Sequence, residues 1–162
     1  QLIKNRNIEL DVYSSTKIYG SDFEKNNDYH IKYRDTFILP LQNNENKFIS
    51  KLSYIYTSYL NSKSLLYVPE KIEIVKWPEN SEQPVHKDNV RSTTKLTSIT
   101  YLNDDFIGGK TCLENGIEIS PKRGDVIFFD GQEYEHWVTK VEKNTRYTLA
   151  MWYTNNLDLI YI

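Results

Sequence analysis

Histidine is scarce in this chain of 162 residues, which holds only His30, His86 and His136. Two of the three sit beside carboxylates in strand-forming text. His86-Lys87-Asp88 sets an imidazole and a carboxylate two residues apart, and in an extended segment that spacing points both side chains to one side. A metal that needs adjacent ligands can use the pair directly, with His136 as the natural third ligand. Two histidines and one carboxylate on one face of an iron leave three positions open for co-substrate and O2. Alone, His-x-Asp is a weak signal, and a solvated loop that happens to hold both residues is its commoner explanation.

A strand reading of the later chain strengthens it. Over 134–141, Tyr134, His136 and Val138 share one face, and Glu135, Trp137 and Thr139 share the other. Further on, Arg146 alternates in register with Thr148, Ala150 and Trp152, opposite Tyr147, Leu149, Met151 and Tyr153. An arginine in so apolar a strand is costly to bury without an anionic partner, and its own strand contains no acid. A dicarboxylate ligand would solve that problem, because guanidinium grips a carboxylate with two parallel hydrogen bonds. The competing explanation is a partly exposed edge-strand arginine paired with a surface glutamate. No protein nucleophile is evident: neither the serines nor Cys112 has an activating histidine by sequence, and there is no second metal motif.

The elements that must position these residues follow from periodicity. The stretch to about Pro40 reads as short strands and loops. Residues 44–61 carry the one good helical pattern, with Phe48, Leu52, Ile55, Tyr56 and Tyr59 at spacings of three and four behind Asn44 as N-cap. From Leu65 onward, β-branched and aromatic runs alternate with turn signals, at 71–77, 94–102, 109–114, 116–119, 125–129, 134–141 and 145–154. Asn115-Gly116 between two runs predicts a hairpin with a type I′ turn. Seven or so short strands behind one helix predict a mainly β protein with flanking helix, an antiparallel sandwich or jelly roll.

Length and composition set outer bounds. The chain suits one domain spanning 1–162, with strands and a support helix in 1–64 and a jelly-roll core in 65–154. Hydrophobic residues at 39% and charged residues at 26% describe an ordinary globular chain rather than a disordered one. A net charge of −2 without a basic block argues against a nucleic-acid partner. One cysteine excludes an intrachain disulfide and fits a reducing compartment. No apolar run reaches the length of a membrane span and no signal-peptide pattern opens the chain, so the expected setting is cytoplasmic, or the host cytoplasm for a viral protein.

Taken together, the text from about Ile72 to Tyr153 resembles the catalytic core of the prolyl 4-hydroxylase branch of Fe(II)/2-oxoglutarate dioxygenases. Within that branch it looks closest to the hypoxia-sensing prolyl hydroxylases and their bacterial and viral relatives. The resemblance rests on His86-Lys87-Asp88-Asn89, Tyr101-Leu102-Asn103, Gly108-Gly109-Lys110-Thr111, Pro121-Lys122-Arg123-Gly124-Asp125 with its apolar run, His136, and Arg146-Tyr147 through Trp152-Tyr153. It implies a double-stranded β-helix with iron on His86, Asp88 and His136. It implies also that Arg146 and Tyr101 hold the distal carboxylate of 2-oxoglutarate, and that Thr148 and Trp152 line the same pocket. Fe(II), 2-oxoglutarate and O2 would be required, with ascorbate as reductant, and hydroxylation would release succinate and CO2. A prolyl residue in a protein or peptide is the implied substrate, with Trp77 and Asn89 as contacts. Trp77 departs from the tyrosine usual at its place, and the glycine-rich turn usual before the first histidine is missing. Those departures leave the metal untouched and open the substrate question, which a free amino acid would also answer. Nucleic-acid demethylases with a similar iron site usually carry a second arginine where Trp152 stands. A binding module without metal would be expected to have lost a ligand, and cupin-like enzymes tend to use more histidines.

Overall fold

The computed structural model describes residues 35–39, 47–88 and 91–156; Asn44 and Asn89 lie outside them. In chain order the elements are β1 (Asp35–Leu39), α1 (Lys47–Ser62), β2 (Val68–Trp77), β3 (Gln83–His86), β4 (Thr94–Tyr101), β5 (Ile107–Gly108), β6 (Thr111–Leu113), β7 (Glu118–Ile119), β8 (Val126–Phe129), β9 (His136–Val138), β10 (Val141–Lys143) and β11 (Arg146–Thr154). The strands form a five-stranded sheet ordered β1-β2-β11-β4-β8, a four-stranded sheet ordered β3-β9-β6-β7, and the short pair β10-β5. Every pairing is antiparallel. Among the described residues the fold is a jelly roll backed by one helix, as the strand spacing predicts.

β11 is the axis of the larger sheet, flanked by β2 and β4, and its alternation divides the fold into two packed layers. Leu149, Met151 and Tyr153 face outward and join Ile72 and Ile74 under Ile49, Tyr56 and Leu60 of α1. Truncating such a buried leucine costs about 2–5 kcal/mol, so this layer is what holds the helix down. The opposite face looks into the roll, where Val75 and Trp77 pack against Val138 and Val141 across the gap between sheets.

Three local expectations change. The helix buries Ile49, Tyr56 and Leu60, whereas Phe48, Ile55 and Tyr59 are 39%, 45% and 48% exposed. The helix has more apolar residues than one face can hold, and the sheet takes the stripe that runs through Leu60. Tyr59 still stacks on Phe128 at the edge of the contact, with ring centroids 5.6 Å apart. The helix ends in a Schellman arrangement, with Leu65 N–H donating to Leu60 O, Ser64 N–H to Asn61 O, and Ser64 at φ 61°.

At the Asn115-Gly116 hairpin, Gly116 has φ 82° but Asn115 does not have positive φ. The turn is therefore not type I′. Gly116 N–H donates to Leu113 O and Leu113 N–H to Ile117 O, the pattern of a three-residue loop with a glycine bulge. The run 134–141 also splits. β9 pairs within the four-stranded sheet and β10 with β5, because Thr139-Lys140 turns the chain between them. No helix among the described residues is long and apolar enough to cross a membrane.

Candidate metal centre

His86 ends β3 and His136 begins β9, and the two are directly paired in register. Their rings lie 4.2 Å apart between centroids. Asp88 sits two residues beyond the strand end, where its N–H donates to Gly131 O at 2.7 Å. That bond brings the carboxylate back over the paired histidines. Asp88 Oδ1 lies 3.9 Å from His86 Nε2 and 3.5 Å from His136 Nε2. The three side chains offer ligand atoms within 4.8 Å of one another.

The hydrogen bonds around this group fix its chemistry. His86 Nδ1 is 2.9 Å from Pro84 O, and His136 Nδ1 is 3.0 Å from Tyr134 O. A carbonyl oxygen only accepts, so each Nδ1 must carry the proton, and in the neutral ring each Nε2 carries a lone pair. Asp88 Oδ2 accepts from Thr97 Oγ1 at 2.7 Å and from Trp152 Nε1 at 2.9 Å, which leaves Oδ1 to the histidines. Burial pushes the Asp88 carboxyl up, but His136, Thr97 and Trp152 together outweigh it and hold the group down at about 2. Two imidazole lone pairs and an ionised carboxylate oxygen thus converge. This N,N,O set with its outer partners suits a divalent transition metal such as iron.

Along β11 the interior changes character. Arg146 is 1% exposed and lies on the central strand, so it is no edge-strand surface residue. Its guanidinium lies 4.9 Å from the Trp77 ring centroid and 5.4 Å from that of Tyr101. Arg146 Nη2 donates to Thr111 Oγ1 at 3.0 Å, and Tyr101 OH donates to the same oxygen at 2.7 Å. With both lone pairs used, the Thr111 hydroxyl has its own proton left to give. Trp77 Nε1 donates to Thr148 Oγ1 at 3.1 Å, and Thr148 lies opposite Tyr101 in register. Burial pushes the Tyr101 phenol up despite Arg146, so it stays a neutral donor. The result is a buried, cationic, donor-rich cluster suited to a carboxylate.

Of the residues singled out by sequence, His86, Asp88 and His136 are brought together. Arg146, Tyr101, Thr148 and Trp77 form the second cluster. Trp152 turns its indole N–H to Asp88, so its polar edge serves the carboxylate. Three contributors were assigned no role from sequence, although Thr111 ends the Gly108-Gly109-Lys110-Thr111 run. Thr111 joins Arg146 to Tyr101, Thr97 props Asp88, and Gly131 leaves room for it. A Cβ on Gly131 would lie 2.2 Å from Asp88 Oδ2. A half-buried ion pair was also missed: Lys71 Nζ lies 2.7 Å from the buried Glu73 Oε1 and 4.7 Å above the Trp152 ring. The alternation of Glu73 with Val75 and Trp77 puts it on the inner wall, where a sequence pattern alone suggests an apolar residue.

No curated protein sequence matches the chain. Among solved structures, a viral collagen prolyl hydroxylase from Paramecium bursaria Chlorella virus-1, in complex with 2OG, is similar at 20% identity and TM-score 0.63, over 76% of this chain and 80% of that one. A prolyl hydroxylase from Trichoplax adhaerens, in complex with a hypoxia-inducible-factor oxygen degradation domain peptide, gives 19% identity and TM-score 0.64, over 78% of this chain and 65% of that one. An oxidoreductase of the 2OG-Fe(II) oxygenase family from Burkholderia pseudomallei gives 16% and 0.62, over 75% and 66%. At these identities the likeness is one of fold. The family model for the 2OG-Fe(II) oxygenase superfamily matches residues 72–154, just over half of the chain and the whole stretch that carries both clusters. On that match, this chain belongs to the 2OG-Fe(II) oxygenase superfamily.

Proposed function

We propose that this protein is an Fe(II)- and 2-oxoglutarate-dependent dioxygenase that hydroxylates a prolyl residue in a protein or peptide, with release of succinate and CO2. The observation that carries the reading is the convergence of His86, His136 and Asp88, two imidazoles and a carboxylate whose ligand atoms lie within 4.8 Å of one another. These residues hold the metal. Bound there, Fe(II) supplies the oxidising chemistry of the family from 2-oxoglutarate and O2. The rest falls to the chain itself.

Arg146 binds the distal carboxylate of 2-oxoglutarate, with the Thr111 hydroxyl as a second donor and the Tyr101 phenol bracing both. Trp77 and Thr148, both buried beside Arg146, keep water from that cluster, which strengthens an ionic contact there. Trp77 is 3% exposed, which favours this role for it over contact with the prime substrate. Thr97 and Trp152 keep Asp88 ionised and aimed. Both histidines are locked by backbone carbonyls in the tautomer that offers Nε2. The prolyl assignment is supported by the fold shared with prolyl hydroxylases of viral, bacterial and animal origin, one of them solved with a peptide.

The test is anaerobic titration of Fe(II)-loaded protein with 2-oxoglutarate, following the metal-to-ligand charge-transfer band in the visible. A band in the parent that is lost in His136→Ala and weakened in Arg146→Ala is expected. Succinate release that rises with a proline-containing peptide, and not with the same peptide carrying alanine, would establish the substrate class. Absence of the band at saturating co-substrate would refute the dioxygenase reading.

A further inference from the structure

β3 and β9 are in register at Gln83↔Val138 and again at His86↔His136, with a register shift between the two. Three residues advance on β3 while two advance on β9. The extra residue is a β-bulge, a feature that re-aims side chains and gathers next to active sites. In a regular strand, residues three apart point to opposite faces. The bulge cancels that, and both Gln83 and His86 face the inside of the roll. Gln83 is 8% exposed, and its Nε2 lies 3.0 Å from His86 Nε2.

The direction of this bond is fixed. His86 Nδ1 gives its proton to Pro84 O, so His86 Nε2 accepts, and the Gln83 amide N–H is the donor. That same lone pair is the one His86 offers to a metal. It cannot serve both. The ring needs no help from Gln83 to stay oriented, since the Pro84 carbonyl already holds it.

We propose that Gln83 is a positioning residue of the metal centre, resting on the dioxygenase reading above. Its amide caps the His86 lone pair in the metal-free protein. Metal loading releases the amide inside the roll, where it hydrogen-bonds the 2-oxoglutarate bound beside the metal. Gln83 thereby weakens metal binding and strengthens co-substrate binding, a pairing of effects that a merely structural glutamine would not give.

Co(II), whose visible d–d absorption reports its ligands, is the probe. It is titrated anaerobically into the parent, Gln83→Leu, Gln83→Glu and His136→Ala proteins, and 2-oxoglutarate is then titrated into each Co(II)-loaded form. Gln83→Leu is expected to bind Co(II) about fivefold tighter and 2-oxoglutarate about fivefold weaker, the scale of one neutral hydrogen bond in each case. Gln83→Glu is expected to bind Co(II) tighter still, with an altered d–d spectrum, because a carboxylate beside His86 Nε2 can itself ligate the metal. Gln83→Met repeats the Leu arm should that variant fail to fold. Parent-like or weaker Co(II) binding in the apolar variants overturns the capping role, and unchanged 2-oxoglutarate affinity overturns the contact. If His136→Ala loses Co(II) while the Gln83 variants behave as the parent, the dioxygenase reading stands and this inference falls. If the parent binds no Co(II), both fall.

Discussion

Replacing Gly131 with alanine should dismantle the metal centre while leaving the roll folded. The added Cβ would lie 2.2 Å from Asp88 Oδ2, 2.9 Å from Asp88 Cγ and 2.7 Å from Thr97 Oγ1. All three fall below 3.0 Å, closer than a Cβ carbon approaches other heavy atoms. Relief requires either that the Asp88 carboxylate swing away or that the bond from Asp88 N–H to Gly131 O open. Both routes take Asp88 off the histidines and break its hydrogen bonds from Thr97 and Trp152. Bonds to a charged group contribute about 1.5–3 kcal/mol each, so the expected destabilisation is about 3 kcal/mol, reduced to the extent that the carboxylate reaches water. Losing an outer-shell partner alone typically costs 10–100-fold in metal affinity, so losing the carboxylate itself should cost at least about 100-fold. Co(II) titration read against urea denaturation separates the two effects. Gly116→Ala is the control. Its φ of 82° strains any side chain, yet a Cβ there meets nothing within 4 Å. It should lose about 1–2 kcal/mol of stability and keep the parent's metal affinity. A Gly131→Ala protein with parent metal affinity would refute the reasoning.

Two further predictions concern groups that meet at these clusters. The Asp88 carboxyl sits at about 2 in the folded metal-free protein, below the ordinary value of about 4, because His136, Thr97 and Trp152 outweigh burial. A lowered folded value means stability that is fully present above about pH 4 and drains away as pH falls toward 2, by about 2–3 kcal/mol. Asp88→Asn should abolish that acid-side slope in urea stability measured between about pH 5 and 2.5, and a slope unchanged in the variant would count against the assignment. In the second cluster, Thr111→Val keeps shape but takes from Tyr101 OH and Arg146 Nη2 their shared acceptor. The variant should bind 2-oxoglutarate at least about tenfold more weakly, at about 1–3 kcal/mol per lost buried bond, with metal affinity unchanged in the same calorimeter.

How much of this was legible in the sequence depends on the range of the interaction. The alternation that set Arg146, Thr148, Ala150 and Trp152 on one face of β11 is a period-two property, and the register of β11 with β2 and β4 preserves it. The same local rule placed His136 with Val138 and away from Trp137. His86 and Asp88 did converge, but through a different route. The strand ends at His86, and it is the contact with Gly131, on the far side of β4 and β8 in sequence, that returns Asp88 to the histidines. The two side chains meet by a geometry other than the same-face alternation of an extended segment. The helix shows the opposite failure: its period was right, but two apolar stripes competed, and only the sheet decides which one is buried.

What stayed hidden shares a physical cause. Thr97, Thr111 and Gly131 act by standing opposite something far away in the chain, and a threonine or glycine in a strand-rich text has many blander uses. Gln83 is hidden more deeply, because its inward aim depends on one extra residue in β3 relative to β9. Counted by alternation from His86, Gln83 faces outward; the bulge reverses it, and a bulge is a property of a pair of strands rather than of either one. Lys71 and Glu73 present the same difficulty in another form. A charged pair costs free energy when taken inside, so a pattern reader assigns both to solvent. Here Glu73 is 2% exposed on the inner wall, with Lys71 lying over the tryptophan that aims Asp88. An ion pair seldom improves on well-packed apolar residues in such a place. Beside the tryptophan that aims Asp88, it marks a place where local pattern rules fail.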